Sequence, residues 1–280
     1  MDKIVVGTDG SDHATAALVW AVDEAQLHQA EVEVVLVWSL LDQYHSDHSK
    51  RFDPNYGPAA ASAALASWID EAIDPTTDVT VHQRVVNDLP ARALLEAGDA
   101  ADLLALGARG IGGFEGLLLG SVSERIAQLA NRPVAIIRAS APVRHGEVVV
   151  GIDGSTRSLD ALRWAAAEAR TREAELHVLH AWRLPLMTGP SVYSAIPDMS
   201  AMEEAGRTVL DTALADPALA GLRTHGHVTS GSAAEALIGL ANDAALLVVG
   251  TRGLGRVAGT LLGSVSRQLL HHAPCPVVVI

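Results

Sequence analysis

Glycines and serines recur in this chain at a spacing that could hold an anion. After the apolar run Leu103 to Leu106 come Gly107, two residues, Gly110, nine residues, then Gly120 and Ser121; the same spacing returns at Gly250, Gly253, Gly263 and Ser264. Glycines at a strand end permit positive φ and let backbone N–H groups approach a phosphate with no Cβ in the way. The Gly-Ser-Val-Ser segment then opens a helix, marked by Val122, Ile126 and Leu129, whose first-turn N–H groups and positive dipole end favour an anion. Ser121 and Ser264 add a hydroxyl donor. Taken singly, each block also reads as a tight turn and a helix cap. Two matches at one spacing, each after an apolar strand, favour phosphate.

A carboxylate stands at the end of the first strand of each half: Asp9 two residues after Gly7, and Asp153 two residues after Gly151. It can accept hydrogen bonds from ribose or adenine, hold a divalent ion on the phosphates, or cap the following helix. Arg109 and Arg252 lie inside the glycine loops, where they either neutralise phosphate or face solvent. A P-loop is excluded, because no Gly-Lys-Ser/Thr occurs and the only lysines are Lys3 and Lys50. The Rossmann dinucleotide fingerprint is missing from the first strand–helix turn.

The elements that must position these residues come in two copies. Ile4 to Ser11 (IVVGTDGS) returns as Val148 to Ser155 (VVVGIDGS), a shift of 144 that also carries Leu18, Trp20 and Glu24 onto Leu162, Trp164 and Glu168. At the glycine loops and at Leu118 to Ser123 against Leu261 to Ser266 the shift is 143. Such long-period register indicates a duplicated domain, not a solenoid. The domains are expected over residues 1–140 and 146–280, with the joint between Ala139 and Gly146.

In the first copy the runs Ile4 to Gly7, Val34 to Val37, Leu103 to Leu106 and Val134 to Ile137 are apolar without alternation, as strands covered on both faces are. Leu18, Ala21, Val22 and Ala25 recur at helical spacing behind Ser11 or Asp12 as a cap. The expected class is α/β: two tandem Rossmann-like domains of the adenine nucleotide α-hydrolase-like kind, each a parallel five-stranded sheet with helices on both faces. Ligands of such sheets sit at the carboxyl ends of the strands, where the motifs fall. Trp20 and Trp164 read as core.

A net charge of −13 disfavours nucleic acid and anionic membrane as partners. No apolar run approaches the length of about 20 residues that a membrane helix requires. The opening residues Asp2, Lys3 and Gly7 lack the layout of a signal peptide, giving the cytoplasm as the expected location. The single cysteine, Cys275 between Pro274 and Pro276, excludes an intrachain disulfide and reads as a packed side chain. His45, Asp47, His48 and Asp53 could suggest a metal site, but the matching loop of the second copy, Leu184 to Ser200, has no histidine; a solvated loop is the better reading. His271 and His272 suit the dipole at a helix end.

The Gly-x2-Gly-x9-Gly-Ser spacing, together with the first strand ending in Val-Gly-x-Asp-Gly-Ser and the later Pro-Val strand, resembles the universal stress protein family in its ATP-binding subgroup. Over both copies the chain is similar to the tandem-domain members of actinobacteria. The resemblance implies one ATP per copy. Adenosine would lie near Gly7, Asp9 and Val37, and phosphates on Gly107, Gly110, Gly120, Ser121 and Ser123. The second set is Gly151, Asp153, Ala181, Gly250, Gly253, Gly263, Ser264 and Ser266, with Ala181 in place of Val37 thinning the contact to the base. The two cradles also take in Ala108, Arg109, Gly113 and Val122, and Thr251, Arg252, Arg256 and Val265. Mg²⁺ is expected only as a companion of the phosphates.

Nothing in the cradle resembles a general base, a nucleophile dyad or a metal cage, which favours a regulatory ATP-binding protein with an unidentified protein partner. A slow ATPase or a nucleotidyl transferase is the alternative, with no catalytic residue assigned. An interaction module that has lost its ligand is disfavoured by intact glycines in both copies. The apolar runs Val134 to Ile137 and Val277 to Ile280 are terminal in each copy and read as edges able to pair with one another; the resemblance implies such pairing between the copies, and a homodimer through terminal edge strands.

Overall fold

The computed structural model describes residues 1–38, 57–111, 118–139, 146–183, 199–253 and 262–280. The chain divides into two compact units: Met1–Val143 with Leu270–Val279, and Arg144–Leu269 with Ile280. Gly113 and Arg256 lie outside the described residues, as do the histidine-bearing loop and nearly all of its Pro/Ser/Met-rich counterpart.

In the first unit the order is β1 (Lys3–Thr8), α1 (Asp12–His28), β2 (Glu31–Trp38), α2 (Pro58–Ala72), β3 (Val81–Asn87), α3 (Pro90–Asp99), β4 (Leu103–Gly107), α4 (Ser121–Leu129) and β5 (Val134–Ile137). The strands lie β3-β2-β1-β4-β5, all parallel. The chain moves outward from β1 to β3 and restarts on the other side at β4, so the switch point falls between the ends of β1 and β4. A crevice forms there because the connections leave in opposite directions. Helices α1 and α2 pack on one face, α3 and α4 on the other. This is why β1 and β4 are apolar throughout: Ile4, Val5, Val6, Leu103 and Leu104 are buried from both sides.

Helix α1 begins where Ser11 Oγ accepts from Ala14 N, which makes Ser11 and not Asp9 or Asp12 the cap. It ends at Gln29 in the left-handed region, whose N–H returns to Ala25 O.

The second unit repeats the plan with β6 (Val148–Ile152), α5 (Thr156–Thr171), β7 (Leu176–Trp182), α6 (Met199–Leu214), β8 (Thr224–Ser230), α7 (Ala233–Leu240) and β9 (Leu246–Val249), its strands parallel in the order β9-β6-β7-β8. Helix α8 (Ser264–His272) and β10 (Val277–Val279) follow.

The expected fifth strand of this copy, β10, groups with the first unit, where it runs antiparallel to β5 with Val277 opposite Ile136 and Val279 opposite Val134. An apolar edge such as Val134–Ile137 exposes unpaired N–H and C=O groups, and β10 satisfies them. The outer edge of β5 is therefore engaged within the chain, and a homodimer through it, as the sequence suggested, has no free edge to use. The paired tryptophans also part company: Trp20 is buried and Trp164 only half-buried. Cys275 is buried, as expected of a packed thiol. Among the described residues no helix is long and apolar enough to cross a membrane.

Candidate functional site

The glycine loop of the first unit starts as β4 ends. Ala108 N donates to Ile137 O at 2.6 Å and Ala108 O accepts from Gly120 N at 2.7 Å, so the residues on either side of the loop are drawn together and α4 starts beside the end of β4. Thr251 does the same in the second unit, donating to Ile280 O at 2.8 Å and accepting from Gly263 N at 2.8 Å. The backbone groups of Ala108 and Thr251, both expected in the cradles, close the loop. The N–H groups of Gly120 and Gly263 are engaged in the same way.

The later serines have partners within the fold. Ser123 is buried and its Oγ donates to Gly107 O at 2.7 Å; Ser266 Oγ donates to Gly250 O at 2.7 Å. Both clamp the helix to the strand end. Ser121 and Ser264, by contrast, are exposed. Gly120 caps α4 without a side chain, so the first-turn N–H groups at Ser121, Val122 and Ser123 meet no capping oxygen. The helix start is thereby kept open to an anion, where α1 and α5 are closed by Ser11 and Ser155.

Asp9 links the two loops. Its Oδ1 accepts from Ser11 N at 3.1 Å and its Oδ2 from Ile111 N at 2.9 Å, which ties the β1–α1 turn to the glycine loop. A Cβ on Gly110 would stand 2.2 Å from Asp9 Oδ2, and one on Gly253 would stand 2.0 Å from Asp153 Oδ2. Only glycine admits the carboxylate here, and both copies have it. Asp153 Oδ1 likewise accepts from Ser155 N at 3.0 Å. A carboxylate oxygen has two lone pairs, so each retains acceptor capacity towards a ligand.

Other glycines have packing reasons. A Cβ on Gly107 would meet the α1 backbone at His13 C, 2.6 Å away. Gly7 and Gly151 lie under Leu94 and Leu237, where a Cβ would come within 2.9 and 2.7 Å of the leucine methyls. Their missing side chains make room for leucines of the neighbouring helix and, at Gly7, for Leu106 of β4. Val37 and Ala181 are half-buried near the ends of β2 and β7, as the sequence placed them.

Three residues the sequence reading passed over, His13, Arg138 and Trp68, surround the site. His13 receives Arg109, whose Nε and Nη2 lie 3.2 and 3.1 Å from Nε2, while Ala139 N lies 2.9 Å from Nδ1. Burial, then Arg109 and Arg138, hold the His13 pKa below its ordinary value. Arg109 thus turns towards His13 in this structure. The third is Trp68 of α2, whose ring lies against Gly10, a residue at φ +78°. The repeat offered a signal for two of them: His13 corresponds to Arg157, while Trp68 has Val209 in its place beside Gly154. Arg157 is exposed, as are Arg252, Gly253 and Ser264 of the same cradle, and Val265 is half-buried.

With this geometry in hand, comparison with known proteins is informative. The chain matches the model of the Universal stress protein family twice, over residues 1–138 and 145–280. A universal stress protein of Mycolicibacterium smegmatis is 31% identical over 289 residues, covering 99% of this chain and 96% of its own. One of Mycobacterium tuberculosis is 31% identical over 293 residues, with coverage of 99% and 96%. The crystal structure of a universal stress protein from Archaeoglobus fulgidus matches with a TM-score of 0.66 at 22% identity, covering 99% of this chain and 97% of that one, a likeness of fold.

Proposed function

The chain belongs to the universal stress protein family, and on that premise we propose that each half binds an adenine nucleotide, ATP, and that the protein acts as a nucleotide-sensing regulator in stress or growth arrest. The observation that carries this reading is the paired Asp–Gly contact: in both halves a glycine without room for a Cβ brings the phosphate-type loop onto the carboxylate that ends the first strand. The residues present suit the ligand. Gly110 with the helix start at Ser121 and Val122 offers N–H donors to phosphates, Arg109 offers charge, and Asp9 offers acceptors to ribose or to an Mg²⁺ that accompanies the phosphates. Gly253, Ser264, Val265, Arg252 and Asp153 do so in the second half. Nucleotide occupancy would add negative charge and polar contacts at these loops and so alter a surface that a protein partner reads. With β5 paired to β10, any dimer of chains would use a different face.

A slow ATPase or nucleotidyl transferase is the second reading, favoured by one observation: His13, held neutral beside Arg109, is an imidazole able to take a proton. Denaturing the purified chain and weighing the released nucleotide tests the first reading; two ATP per chain and an ATP-dependent rise in Tm are expected. No adenine nucleotide and no Tm shift would sink it. Turnover of many ATP per minute, lost on His13→Gln, would move the assignment to the enzyme.

A further inference from the structure

At the opposite edge of the second unit, where its strands begin, five ligand-type side chains converge. Glu147 precedes β6, Glu175 precedes β7, His177 lies on β7, and His225 and His227 lie on β8. Parallel register sets His177 beside His225, with ring centroids 4.8 Å apart, and His227 stacks on the same imidazole at 5.2 Å. His225 Nε2 lies 2.7 Å from Glu175 Oε2, and His177 Nδ1 lies 3.0 Å from His227 Nε2. One ligand atom each from Glu175, His177 and His225 falls within 4.8 Å of the others.

The same positions in the first unit hold a different chemistry. Lys3, Glu33 and Arg84 stand where Glu147, His177 and His227 stand, and they satisfy one another: Lys3 Nζ is 2.9 Å and Arg84 Nη1 3.9 Å from the Glu33 carboxylate. Only the Glu31–His82 pair, at 3.2 Å, is shared with Glu175–His225. In the second unit the two cations are gone, and Glu147 and His227 in their places are both side chains found among Zn²⁺ ligands. Three imidazoles crowd together on two adjacent parallel strands. His177 Nε2 is buried and makes no hydrogen bond, although the Glu147 carboxylate approaches to 3.2 Å off the N–H direction. A nitrogen so placed has a lone pair or proton with no partner, which costs stability unless something else supplies one.

The geometry points to a divalent metal site of the Zn²⁺ class on the second unit, built from Glu175, His177 and His225, with Glu147 and His227 around it and Arg223 steadying the other Glu175 oxygen at 2.8 Å. Two imidazoles and a carboxylate form a three-ligand zinc set with a fourth position for water. Tetrahedral zinc asks for ligand atoms about 3.3 Å apart, a contraction that the exposed His225 and half-buried Glu175 supply by side-chain rotation. The site does not depend on the nucleotide reading, because it lies at the starts of the strands and not at their ends.

The test is Zn²⁺ titration of the full chain, freed of metal and nucleotide, by calorimetry, with Co²⁺ in its place to read tetrahedral ligation from visible absorption. One saturable site per chain is expected, with intense Co²⁺ bands. His225→Asn should weaken it by more than about tenfold, and His82→Asn should leave it unchanged. The combined Glu147→Lys, His177→Glu and His227→Arg chain, which installs the first unit's ion-pair ladder and so preserves the fold, should abolish it. No saturable site, or one that both altered chains retain, would overturn the proposal.

Discussion

The two cradles share their scaffold and differ in what surrounds it. Ser123 and Ser266 make the same clamp at the same 2.7 Å, and Gly110 and Gly253 admit the same carboxylate. Yet where the first copy sets a neutral His13 between Arg109 and Arg138 and lays the Trp68 ring on Gly10, the second has an exposed Arg157 and a single Val209 methyl 3.4 Å from the position a Gly154 Cβ would take. Duplication has held the residues that shape the backbone and varied those that set charge and stacking. The second cradle carries a permanent cation where the first carries one only when His13 is protonated.

The largest effect expected from breaking the shared part is on ligand binding. Gly110→Ala and Gly253→Ala push a Cβ into the aspartate, and each should cost one nucleotide per chain, a loss of more than about tenfold in affinity at the altered half alone; calorimetric stoichiometry with ATP reads it. Next comes packing. Gly107→Ala drives a methyl into the α1 backbone at 2.6 Å, whereas Gly250→Ala meets Arg157 at 3.1 Å. Urea unfolding should show a loss of about 1–3 kcal/mol for the first and under about 1 kcal/mol for the second. Equal losses would mean that the two loops are equally tight.

The clamps should behave alike: Ser123→Ala and Ser266→Ala should each lower stability by about 1 kcal/mol, since each leaves a glycine carbonyl without its donor. The smallest effect is in pH. Because the folded protein holds His13 below its unfolded pKa, the stability this group contributes is fully present above about pH 6.5 and is lost as the pH falls through and below that value. His13→Gln should flatten that acid limb of the Tm profile. Bound polyphosphate should reverse the preference, so ATP should tighten on the first cradle between pH 7.5 and 6, while the second, with Arg157, changes little.

Much of this was legible in residue order. Apolar runs without alternation gave β1, β4 and β5 within a residue or so, and the repeat located both glycine loops. Residue order does not say which atom a side chain meets. The resemblance implied Ser123 beside the phosphates; the fold turns its hydroxyl inward to the Gly107 carbonyl. The leucines that exclude a Cβ at Gly7 are Leu106 of β4 and Leu94 of α3, each nearly ninety or more residues later. The metal-type cluster was invisible because Glu147, Glu175, His177 and His225 are spread across three strands and meet only through parallel register.

By itself the sequence determined that the chain is a duplicated α/β protein with two glycine loops, because periodicity and repetition are properties of order along the chain. What only the tertiary structure decided is which atoms those residues meet. It gave Asp9 to the loop and not to the helix cap, Ser123 to a carbonyl, and His177 to its neighbours on β8. These are contacts between residues far apart in sequence, fixed by sheet register and by the closeness that a missing Cβ allows, and no local pattern encodes them.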